Sequence, residues 1–83
     1  MSKFFDYYNV SLYEEFAGIP WLVKRKSHAT KKEAYEAVIQ EVKNSGFKVI
    51  EKEIINSLDG KDEYNLTNDI TISIEGELNE QQN

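Results

Sequence analysis

Eighty-three residues, 40% hydrophobic and 30% charged, can form one thin core and are too apolar for a disordered chain. Ten Lys and Arg against fifteen Asp and Glu leave a formal charge of −5, which argues against general affinity for nucleic acid. The absence of cysteine excludes disulfides, thiolate metal sites and a cysteine nucleophile, and fits a reducing compartment.

No apolar run approaches the roughly 18 residues a membrane helix needs. Asp6 also breaks the stretch where a signal peptide wants an unbroken apolar core. The expectation is a cytoplasmic protein without membrane contact.

In chain order, the alternation Tyr8-Val10-Leu12 predicts a first strand over about 6–14 with those three facing the core. Gly18 and Pro20 punctuate a turn, and Trp21-Leu22-Val23 open a second strand over about 20–27. Tyr8, Phe16 and Trp21 are the aromatic residues expected in the core. The best-defined element is a helix from Thr30 to Gly46. Thr30 and Glu33 have the spacing of a capping box; Ala34, Tyr35, Val38, Ile39 and Val42 share one face; Gly46 stops it, with Phe47 folding back onto Val42.

After Gly46, Phe47, Val49, Ile54 and Ile55 read as a third strand whose parity slips near residues 51–53, as a bulge would cause. Residues 56–63, with Asp59-Gly60 at the tip, read as a turn. Tyr64, Leu66, Ile70, Ile72, Ile74 and Leu78 share one parity in a last strand, and 79–83 read as a frayed tail.

The fold class expected is α+β: a single domain over 1–83, a two-layer ββαββ arrangement with a four-stranded, mostly antiparallel sheet and one helix on one face. Strand order stays open. A β-grasp-like sheet has the first and last strands adjacent and parallel; the alternative is wholly antiparallel.

Chemistry is hard to place on this chain. His28, the one histidine, lies in a polar link with no nucleophile or paired carboxylate at a recognisable spacing, so it reads as an exposed residue leading into the helix. Asp59, Asp62 and Glu63 resemble a calcium loop, but Lys61 and Tyr64 occupy ligand and glycine positions. No glycine-rich phosphate loop is present. We expect no catalytic, metal or cofactor-binding residues.

Charge, by contrast, is unevenly spread: −2 over 1–23, +4 over 24–48 and −7 over 49–83. The acids of the last third, including Asp69, Glu75 and Glu77, together with Tyr7 and Tyr13 on the off-core parity of strand one, form the candidate partner-binding set. The expected partner is a protein with a basic surface. Small, acidic, cysteine-free domains of this type are common among phage and mobile-element inhibitors, including DNA mimics and anti-CRISPR proteins. The function expected is therefore non-enzymatic, stoichiometric binding to a nucleic-acid-handling protein. The alternative is a weak nucleic-acid-binding domain using Lys24, Arg25, Lys26, Lys31 and Lys32 as a phosphate-binding strip. An exposed edge strand leaves a homodimer open as well.

Overall fold

The chain alternation expected near the N-terminus produces a long hairpin. In the computed structural model, which describes residues 5–78, β1 spans Tyr7–Phe16 and β2 spans Ile19–His28. The two-residue loop has φ 53° at Ala17 and 79° at Gly18, the double positive φ of a type I′ turn that matches strand twist. In such a loop Phe16 and Ile19 close the hairpin as a hydrogen-bonded pair. The next pair, Glu15 with Pro20, is then non-hydrogen-bonded, and the Pro20 nitrogen faces outward. Proline thus removes a donor from the open edge of β2, where an added strand would need it. The register slips between Leu12 and Tyr13, leaving Val23 as the extra residue of a bulge. The only bulge among the described strands is therefore here, and not at 51–53.

The helix α1 spans Lys31–Asn44 with Thr30 as its N-cap. Thr30 Oγ1 accepts from the Glu33 N–H at 3.1 Å, while Glu33 Oε1 accepts from the Ala29 N–H at 3.2 Å, so the return arm of the capping box lands one residue early. Ala34, Val38 and Val42 are buried at a spacing of four. Gly46 has φ 85° just past the end, and a Cβ built there meets nothing within 4 Å. Substitution by Ala therefore carries backbone strain alone, and we expect Gly46→Ala to lose about 1 kcal/mol in urea unfolding. An unchanged midpoint would mean that the left-handed stop does not form. Phe47 stays exposed rather than folding back, and Val49 packs against the core instead.

The main departure from expectation follows. Residues Glu51–Lys61 form a second helix, α2, where a bulged strand and a turn were expected. The parity slip is a helical period: Ile54 and Leu58, four apart, are both buried. Glu51 and Glu53 suit its first turn and Lys61 its last, and Asp62 ends it in the left-handed conformation at φ 57°. The expected single last strand is a hairpin, β3 (Glu63–Asn65) and β4 (Ile70–Glu77), with Tyr64 paired to Ile72.

The sheet order is β2-β1-β4-β3 and every pair is antiparallel. First and last strands are adjacent, as in the β-grasp option, but they run in opposite directions. The result is an α+β domain with a four-stranded antiparallel sheet and two helices on one face. Between the layers, Ala34, Val38, Val42, Ile54, Leu58, Ile72 and Ile74 form the core, joined by Tyr8, Val10 and Leu12.

Phe16 and Trp21 are not in that core. They are 59% and 56% exposed, because the tip of the β1–β2 hairpin extends beyond the helix layer. Phe5 lies over Gly76 and meets Tyr8 edge-on at 5.9 Å, supplying the ring that Gly76 lacks on that side of β4.

Tyr35 joins the two helices through its hydroxyl, which donates to Asp59 Oδ1 at 2.7 Å. Burial first, then that hydrogen bond and the charges of Asp59 and Asp62, push its pKa from 10.0 up to about 12. The folded state thus holds this proton more tightly than the unfolded chain. The resulting stability is complete below pH 10 and is lost as pH rises from 10 toward 12. Urea midpoints over that window should fall more for the wild type than for Tyr35→Phe. Equal slopes would show that folding does not raise the Tyr35 pKa.

Candidate functional site

Strand alternation puts two sets of side chains on opposite faces of the sheet. Val10, Leu12, Ile72 and Ile74 point to the helices. Tyr7, Asn9, Ser11, Tyr13 and Glu15 of β1 point away, beside Ser27 and Arg25 of β2, Ser73, Glu75 and Glu77 of β4, and Glu63 of β3. No helix among the described residues covers this second face.

Its centre is a polar network. Arg25 Nε donates to Ser11 Oγ at 2.8 Å, and Arg25 Nη2 donates to Tyr13 Oη at 3.1 Å and to Glu75 Oε1 at 3.0 Å. Ser11 Oγ donates to Glu75 Oε1 at 3.2 Å, and Tyr13 Oη to Glu75 Oε2 at 3.1 Å. Next to it Ser27 Oγ donates to Asn9 Oδ1 at 2.6 Å. Ser11 and Asn9 are consequently buried although they lie on the face without helices. The network ties the three strands β2, β1 and β4 together, and its satisfied donors and acceptors leave no buried polar side chain unpaired among the described residues.

At one end of this face Tyr7 pairs with Glu77. At the other, Tyr13, Glu15, Glu63, Asp69 and Glu75 border a shallow groove of about 350 Å³, and the Glu15 N–H donates to the Asp69 carbonyl at 2.8 Å. All five residues of the candidate set, Tyr7, Tyr13, Asp69, Glu75 and Glu77, thus fall on one side of the sheet. Two of them are not free surface groups, since Tyr13 and Glu75 are bound to Arg25 and to each other. Counting Glu15 and Glu63, the described face holds five carboxylates against one guanidinium. Those carboxylates are dispersed: among the described residues no group of three His, Asp or Glu is close enough to hold a metal ion.

The five bases Lys24, Arg25, Lys26, Lys31 and Lys32 do not form one strip. Alternation sends Lys24 and Lys26 to the helix side and Arg25 to the other, while Lys31 and Lys32 lie in the first turn of α1. Three are paired: Lys24 with Glu41 at 2.9 Å, Arg25 with Glu75 at 3.0 Å and Lys31 with Asp62 at 3.8 Å. Lys31 Nζ also sits 5.9 Å from the Tyr35 ring centre. His28 is the last residue of β2, on its helix side beside Tyr8.

Ser11 and Arg25 as the keystone of the network were missed from the sequence, where Arg25 reads as one of three consecutive bases. Only the cross-strand pairing of Ser11 with Arg25 and Ser73 separates it from its neighbours. The chain matches no protein-family description, no curated protein and no solved structure. No helix among the described residues is long and apolar enough to cross a membrane.

Proposed function

We propose that this protein is a binding domain that acts stoichiometrically and without catalysis, presenting the helix-free face of its sheet to a basic partner protein. The observation that carries this reading is the segregation of Tyr7, Tyr13, Glu15, Glu63, Asp69, Glu75 and Glu77 to that face, braced underneath by the Arg25 network. Rigid tyrosines offer large contact area at low entropic cost, and dispersed carboxylates steer a basic surface toward them. A nucleic-acid-handling protein, with a groove built to hold phosphates, is the partner class this charge suits, and the domain would inhibit it by occupying that groove.

The test separates steering from holding. Asp69→Lys with Glu77→Lys should slow association with a partner captured from lysate about tenfold at low salt and leave dissociation nearly unchanged. Tyr7→Ala should instead speed dissociation, by a factor corresponding to roughly 1–2 kcal/mol. A partner that binds the double-lysine variant as fast as wild type in low salt would remove the acidic face from the mechanism.

A further inference from the structure

On the helix side of the sheet, α1 packs chiefly over β1, and residues 19–27 of β2 stay exposed. A groove of about 400 Å³ opens there, floored by Val10, Leu12 and Ile72. Towards it α1 presents the methyl of Ala37 and the polar Gln40 and Glu41, so no large apolar side chain of the helix fills the space. The β2 wall carries Lys24, Lys26 and His28, which alternate onto this side. Lys24 is neutralised by Glu41 at 2.9 Å. Lys26 has no carboxylate within 4.0 Å among the described residues, and it stands two positions from His28 on the same strand face. The groove therefore has an apolar floor and one cationic end.

We propose that this groove binds a small amphipathic anion: an acyl carboxylate whose head group lies between Lys26 and His28 and whose chain covers Val10, Leu12 and Ile72. The volume falls in the range of small-ligand clefts, about 300–1,000 Å³. An apolar floor with polar groups on the walls, Lys24 taken up by Glu41 and Lys26 left to meet an anion, is an arrangement that fixes such a ligand's orientation. Alternate residues of a strand stand about 6.8 Å apart, close enough for one carboxylate to accept from both side chains. The site is on the opposite side of the sheet from the acidic face and does not depend on the function proposed for that face.

The experiment is an amide-shift titration of the isotopically labelled protein with octanoate below its micellar concentration, 1-octanol below its solubility limit, and acetate. Octanoate should shift Lys24–His28 and Ala37–Glu41 saturably, with a Kd on the order of 1 mM for about ten heavy atoms. Acetate, which keeps the charge and lacks the chain, should bind at least about tenfold more weakly, and octanol about fivefold more weakly, the worth of one partly exposed charge contact. Lys26→Gln should weaken octanoate by a similar factor and leave octanol unchanged. Ala37→Leu, at a half-buried helical position where folding tolerates the change, should fill the groove and abolish the shifts. The proposal is overturned if octanol binds as well as octanoate, if Ala37→Leu has no effect, if no saturation is reached, or if the shifts centre on Phe16, Ile19 and Trp21 at the hairpin tip.

Discussion

Leu58→Ala should cost about 3 kcal/mol, within the 2–5 kcal/mol typical of removing a buried leucine. In a domain of this size that lowers the melting temperature on the order of 15 °C. Leu58 is 0% exposed and belongs to the cluster with Ile54, Val42 and Ile72, so truncation leaves a cavity that neighbours held by the sheet cannot close. The same substitution at Asn56, exposed on α2, should stay within about 0.5 kcal/mol. Thermal unfolding followed by circular dichroism distinguishes them. A Leu58→Ala protein that melts with the wild type would restore the turn that the sequence suggests at 56–63.

The second large effect belongs to Glu75. Its carboxylate accepts from Ser11, Tyr13 and Arg25, so Glu75→Lys removes three hydrogen bonds and sets an ammonium beside the guanidinium. The ion pair alone contributes little, because its side chains are 41% and 35% exposed and water screens them. Each lost hydrogen bond is worth about 1 kcal/mol, more where Ser11 is left buried, and the total should be about 2–3 kcal/mol. Glu75→Gln keeps one acceptor oxygen and should cost about half as much. Urea unfolding of the two variants checks this, and equal stability of Glu75→Lys and wild type would exclude the network. Glu75 is accordingly a poor probe of surface charge, and Asp69 and Glu77 are the better ones.

What could be read from the sequence depended on how locally each signal is encoded. α1 was legible because its cap, its apolar period and its stop at Gly46 lie within one stretch. Tyr8, Val10 and Leu12 were legible by alternation. α2 was not, since Ile54 and Ile55 are β-branched and adjacent, and Asp59-Gly60 has the composition of a turn. Burial of Ile54 and Leu58 under the sheet overrode both signals. The β3–β4 turn was hidden because Tyr64 and Ile72 keep the same parity across it. Phe16 and Trp21 read as core residues because a strand pattern says which way a side chain points and not whether a helix reaches that far. In the candidate site, the facing of Tyr7, Tyr13, Glu75 and Glu77 followed from alternation. The pairing of Glu75 with Arg25, fifty residues apart, needed the strand order.

The position of β1 also sets when this protein can exist during its own synthesis. Among the described strands β1 comes first in the chain and is central, with β2 on one side and β4 on the other. Its pairing with β2 is available early, through a two-residue turn. Its pairing with β4 spans 56 residues at Glu14–Ile70 and 70 at Tyr7–Glu77, and waits until Ile70–Glu77 has left the ribosome. Until then Val10 and Leu12 lack Ile74 and Ile72 beside them, and one long edge of β1 stands unpaired. A nascent chain stalled anywhere before residue 70 therefore lacks the strand that β1 and both helices close on. The finished domain appears in one late step.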